Sequence, residues 1–113
     1  MVINGKDLSM VAGDSACIQI VLKKEGQILP FGEGDTVFLS VKRSLKDSVY
    51  ILQKISTDFN QDGIAKIVLA AEDTRDLPPY KYLYDIQVNF ANGDVKTIVE
   101  PSRFTLKPGV THD

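Results

Sequence analysis

Tyr80-Lys81-Tyr82-Leu83-Tyr84-Asp85-Ile86-Gln87-Val88-Asn89-Phe90 is the stretch whose reading decides the fold. Its even positions are Tyr, Tyr, Tyr, Ile, Val and Phe, and its odd positions are Lys, Leu, Asp, Gln and Asn. A strand points successive side chains to opposite faces, so this spacing gives one aromatic and aliphatic face and one mostly polar face. A helix would scatter both sets around its circumference. The spacing therefore predicts a long, half-buried strand over residues 80–90.

Ala91-Asn92-Gly93-Asp94 follows at once. Asn-Gly tolerates the positive φ angles of a tight hairpin, so residues 95–100 are expected to return antiparallel to the first strand. Pro101 has no N–H to give to a ladder and is expected to end that strand, leaving a last short one over 103–107. Pro108-Gly109 closes it, and residues 108–113 and 1–7 are expected to fray.

The N-terminal half follows the same logic. Residues 15–22 place Ala16, Ile18, Ile20 and Leu22 on one face. Gly26 and the run from Pro30 to Asp35 form a turn-rich connection. Residues 36–43 put Val37, Leu39 and Val41 on one face and Phe38 on the other. Residues 49–55 form a β-branched run, 58–63 a loop, and 64–69 a strand with Ala65, Ile67 and Leu69 on one face. A helical turn fits around Glu72 to Asp76, before Pro78-Pro79. No helix of crossover length separates the strands, which argues against a doubly wound sheet. The fold class expected is all-β, an antiparallel immunoglobulin-like β-sandwich of about seven strands. The step Asp76-Leu77-Pro78-Pro79-Tyr80-Lys81-Tyr82 is similar to a tyrosine corner, in which a Tyr hydroxyl bonds back to nearby backbone, although the antibody disulfide and tryptophan are absent.

A chain of 113 residues fits one domain over 1–113, with a core burying roughly two thirds of the unfolded surface. The 43% hydrophobic and 25% charged content excludes a disordered chain. A net charge of −2 with scattered Lys and Arg excludes a dedicated nucleic-acid binder. The single Cys17 cannot form an internal disulfide, and within an apolar run it is expected to pack as a small hydrophobe. No signal peptide and no membrane-length apolar segment is visible, so the chain is expected to be soluble, made in the cytoplasm and not inserted into a membrane.

Candidate chemistry is sparse. Asp58-Phe59-Asn60-Gln61-Asp62-Gly63 matches the opening of a calcium loop, with Asp58, Asn60 and Asp62 as oxygen ligands and glycine in the sixth place. The twelfth place, which needs a bidentate Glu, is Leu69, and the flanks read as strands. A hairpin turn at Asp62-Gly63 is the favoured reading. The only histidine, His112, is next to the end of the sequence, a poor place for a rigid catalytic triad. Asp73 and Asp76 are read as exposed loop acids rather than a glycosidase pair. No nucleotide, zinc or nucleophile-elbow motif occurs, so neither a cofactor nor an enzyme is expected. Phe38 and Leu83 each lie opposite the main apolar face of their strands and are the expected interaction surface. Unprotected sheet edges would add a route to β-augmentation or oligomers.

Three stretches carry a family resemblance. They are Gly34-Asp35-Thr36-Val37 leading into Leu39-Ser40-Val41-Lys42, then Asp73-Thr74 and Leu77 leading into Tyr80-Lys81-Tyr82-Leu83-Tyr84-Asp85-Ile86, and Gly93-Asp94-Val95-Lys96-Thr97-Ile98 leading into Arg103-Phe104-Thr105-Leu106. Their order and spacing over residues 15–107 resemble small virion proteins of bacteriophages and prophages, including the N-terminal domain of upper baseplate proteins. The resemblance implies a non-catalytic structural domain of a tail or baseplate. Its partners would be other virion or assembly proteins, or itself as a homo-oligomer, and its location the virion. The long downstream region of receptor-binding baseplate proteins is missing, so the resemblance implies assembly rather than host attachment. The alternative is a ligand-binding module, for carbohydrate or a cell surface, using loops at one end of the sandwich.

Overall fold

A computed structural model describes residues 2–3, 7–59 and 63–110. Among them the chain forms, in order, β1 (Val2–Ile3), β2 (Leu8–Val11), β3 (Ala16–Ile20), β4 (Leu22–Lys24), β5 (Gln27–Leu29), β6 (Thr36–Lys42), β7 (Leu52–Ser56), β8 (Ala65–Leu69), α1 (Ala71–Arg75), β9 (Tyr80–Asn89) and β10 (Val95–Lys107). The all-β expectation holds. Five strands make one sheet in the order β2-β10-β9-β6-β7, three make a second in the order β1-β3-β8, and β4-β5 is a separate hairpin.

The long alternating stretch is the centre of the larger sheet. Tyr82, Tyr84, Ile86 and Val88 are all buried, whereas Tyr80, at the strand's start, is half-exposed. They meet Val37, Leu39 and Val41 of β6, Ile18 and Ile20 of β3, and Ala65, Ile67 and Leu69 of β8 in one apolar cluster shared by both sheets. The period-two pattern therefore created a core because each strand turned its apolar side the same way. The hairpin turn falls where Asn92-Gly93 placed it: Gly93 has φ +97°, and Phe90 N donates to Asp94 O at 2.8 Å.

Four expectations are corrected. The sheets are mixed rather than purely antiparallel, because β2 runs parallel to β10 and β1 parallel to β3. Within residues 1–7, expected to fray, Val2–Ile3 are instead paired, beside Gln19 and Ile20. Leu8–Val11 extend the large sheet at its edge, where Leu8 is buried beside Phe104, and the Asp7 carboxylate accepts a hydrogen bond from Arg103 N at 3.0 Å. Pro101 does not end a strand. β10 runs through it, with register shifts between Thr97 and Val99 and between Val99 and Ser102, and a bulge is where a residue without an N–H costs the ladder little. Residues 15–22 are not one strand, because Val21 separates β3 from the hairpin β4-β5, which turns at Glu25 and Gly26 with φ of 53° and 78°.

The helical turn before Pro78-Pro79 is α1. Ala70, at its start, has no side-chain acceptor, and the Asp73 carboxylate instead accepts the Ala70 N–H at 2.7 Å. Thr74 is fully buried and its hydroxyl accepts from Gly13 N at 2.9 Å, tying the helix to the β2–β3 turn. The corner that follows is closed by the Tyr82 hydroxyl, which donates to Pro78 O at 2.5 Å. That is the back-bond expected of a tyrosine corner.

Candidate functional site

The solvent-facing side of the five-stranded sheet carries the candidate site. The register between β6 and β9 sets Phe38 opposite Gln87, Ser40 opposite Asp85, and Lys42 opposite Leu83. Alternation turns all six outward, because their neighbours Val37, Leu39, Val41, Tyr84, Ile86 and Val88 are buried. Phe38 and Leu83, singled out separately in the sequence, thus share one face and line one cleft of about 340 Å³. Leu45 and Tyr50, from the connection between β6 and β7, and Pro101 of β10 join them in its lining. Leu45 is 68% exposed and Tyr50 50% exposed, so this end of the cleft presents a solvated apolar rim.

The middle of the cleft is polar. Gln53 Nε2 donates to Ser40 Oγ at 3.0 Å. Burial pushes the Asp85 carboxyl above its ordinary range, and the positive charge of Lys42 offsets part of that. Lys42 forms no direct ion pair with it, and its ammonium lies 5.1 Å from the centroid of the Tyr50 ring. Sequence reasoning found Phe38 and Leu83 by their position on the minority face of each strand. It missed Asp85, Ser40 and Lys42, which read as ordinary outward polar residues. Tyr50, Leu45 and Pro101 were also missed, because their approach depends on how a loop folds and where a bulge falls.

The calcium loop is only partly within the described residues. Asp58 is exposed and its backbone carbonyl accepts from Ser56 Oγ at 3.3 Å, whereas Asn60 and Asp62 lie outside the described residues. Leu69, at the twelfth place, is buried in the core rather than aimed at the loop. Gly63 has a structural reason to be glycine. Its φ is +73°, a Cβ there would fall 2.2 Å from the Pro30 Cβ, and its carbonyl accepts from Phe31 N at 2.9 Å. Phe31, held there, stacks on Phe59 with centroids 5.3 Å apart.

Cys17 is corrected: it is exposed, on the outer side of the three-stranded sheet opposite Val68. Asp73 is bound structurally, with Lys54 Nζ at 3.1 Å and the Ala70 N–H, and is not paired with Asp76. Burial acts to raise its carboxyl, but the Ala70 hydrogen bond, the Lys54 hydrogen bond and the Lys54 charge together hold it below its ordinary value. His112 lies outside the described residues. Among the described residues no three His, Cys, Asp or Glu side chains gather as a metal cluster, and no helix is long and apolar enough to cross a membrane. No family model fits the chain, and no curated protein matches its sequence.

Proposed function

We propose that this chain is a non-catalytic assembly domain that binds protein partners, other chains or copies of itself, through the outer face of its five-stranded sheet. The observation that carries the reading is the convergence of Phe38, Leu83, Leu45, Tyr50 and Pro101 around one solvent-facing cleft. Phe38 and Leu83 are half-buried while Leu45 and Tyr50 stay exposed, so apolar area is left on this face for a partner to cover, and an apolar rim around a few polar groups is the usual make-up of a contact surface. The fold is read as an immunoglobulin-like sandwich. Its support is the shared core of two sheets, the parallel pairing of the first long-sheet strand with the last strand, and the corner bond from Tyr82. The resemblance over residues 15–107 supplies the context, a phage or prophage tail or baseplate, with the protein located in the virion.

The test is co-expression with the proteins encoded beside it. Phe38→Ser and Leu83→Ser should each abolish co-purification while the far-UV circular dichroism spectrum is retained. Undiminished co-purification of both variants would remove the face from consideration.

A second reading has its own observation. Ser40, Gln53, Asp85, Gln87 and Asn89 all line the same cleft beside Tyr50, a set that suits a hydroxyl-rich ligand such as a carbohydrate. The cleft lies on the sheet face and not among end loops. Titration calorimetry with oligosaccharides, in which binding heat is lost in Asp85→Asn, separates this reading from the first.

A further inference from the structure

The cleft holds an unspent hydrogen-bond donor and an unspent acceptor on neighbouring strands. Gln53 uses the lone pair of Ser40 Oγ, which leaves the Ser40 hydroxyl proton free to be donated. Directly across the ladder, the Asp85 carboxylate is partly desolvated and, among the described residues, is held by no hydrogen bond or ion pair. Lys42, one residue pair away on the same face, supplies a positive charge that Asp85 does not contact directly. A surface with one carboxylate, one ammonium and one free hydroxyl proton is complementary to itself.

We propose that the partner seated on this face is a second copy of the same chain, related by a two-fold axis that runs parallel to the strands between β6 and β9. The proposal rests on the reading of this face as a contact surface and names its occupant. Such an axis lays β6 of each copy over β9 of the other. Ser40 then faces Asp85 of the second copy and donates its free proton to that carboxylate. Lys42 lies diagonally over the same carboxylate and supplies the charge. The two Phe38 side chains meet beside the axis at one end, and the two Leu83 side chains meet at the other. Each copy thereby provides what the other lacks, and the contact closes as a dimer, because an isologous pairing leaves no unused patch to propagate.

Charge reversal tests this on the full chain, by light scattering after size exclusion and by sedimentation equilibrium. The parent protein should run at about 25 kDa, twice the 12.5 kDa chain. Asp85→Lys and Lys42→Asp should each raise the dimer dissociation constant at least ~10-fold, because each sets like charges against each other twice across the axis. Mixing the two variants should restore a dimer containing one of each, since both cross-axis pairs are then attractive. That result also shows that both variants fold. A parent protein that stays monomeric at millimolar concentration overturns the pairing, and leaves the co-purification test of the face to stand or fall separately. A dimer that survives both single reversals overturns it by placing the contact elsewhere. Variants that fail to recombine on mixing overturn the two-fold arrangement.

Discussion

Tyr82→Phe removes one oxygen atom and should cost about 1 kcal/mol of stability. The side chain is buried at 1% exposure, and its ring packing is conserved in phenylalanine, so neither a cavity nor a change of apolar burial enters. What is lost is the hydrogen bond to Pro78 O. Pro78 is exposed, so water can replace the hydroxyl at that carbonyl, and the cost belongs to the net worth of a hydrogen bond, ~0.5–1.5 kcal/mol, rather than to a stranded polar group. For a domain of this length, 1 kcal/mol lowers the melting temperature by about 4 °C. The internal reference is Tyr80→Phe, the same deletion two residues earlier in the strand, where the side chain is 49% exposed and the ring already lies against Tyr82 and Arg43. Differential scanning calorimetry of the two variants should separate them clearly, with Tyr80→Phe close to the parent. Equal shifts, or no shift for Tyr82→Phe, would show that the corner is held by packing alone and that its hydroxyl contributes nothing.

Gly63→Ala should destabilise by at least about 2 kcal/mol, since left-handed backbone and contact with Pro30 act together, whereas Gly26→Ala, with φ of 78° but open space around it, should cost only about 1 kcal/mol; urea titration reads both. Asp73→Asn keeps an oxygen that can accept the Ala70 N–H and removes only the charge on that bond and the partly solvated ion pair with Lys54, so it should cost less than about 1 kcal/mol at neutral pH. The Asp73 carboxyl is held below its unfolded value, so its contribution is present above that value and is lost as pH falls through the folded one; the acid limb of a stability–pH curve should be shallower in Asp73→Asn. At the other extreme, burial, aided by the Asp7 charge, pushes the Tyr84 hydroxyl up to about 12. Its contribution is intact below the unfolded value near 10 and declines as pH rises toward 12, so guanidinium midpoints should fall across that window, and less so in Tyr84→Phe.

The elements legible in the sequence are those whose side chains alternate over five residues or more. Residues 80–90, 36–43 and 64–69 became β9, β6 and β8 within a residue or two at each end, because burial on one face constrains every second position at once. Leu8–Val11 escaped notice because four residues carry too little periodicity. It is a strand because β10 offers an unpaired edge to it, which is a property of the neighbour. Pro101 misled for the opposite reason. A local rule about missing N–H groups was correct, but the chain met it with a bulge instead of a strand end. The site divides in the same way. Phe38 and Leu83 stand out as apolar residues on a polar face, which one strand's sequence displays. That they frame a single cleft with Asp85 between them follows from the pairing of Ser40 with Asp85, which depends on register across strands 45 residues apart.

The edges of the large sheet bear on where association occurs. An open edge was the other expected route to oligomers, and β7 is such an edge. Lys54 is paired with Leu39, whose side chain is buried, so Lys54 points toward the inner side of the sheet and ends on Asp73 of α1. An inward charge on an edge strand is a known means of blocking strand addition, because an incoming strand would bury that charge. At the opposite edge, β2 is only four residues long, and short edge strands offer few backbone groups to a visitor. With these two edges blunted, the exposed apolar surface around Phe38, Leu83, Leu45 and Tyr50 is the larger unspent source of binding energy. Association through the sheet face, with side chains and not backbone ladders setting specificity, is the mode this arrangement favours. The consequence separates the two routes in one experiment: Lys54→Thr, which removes the inward charge, should promote concentration-dependent aggregation visible by light scattering, while leaving contacts through Phe38 and Leu83 unchanged.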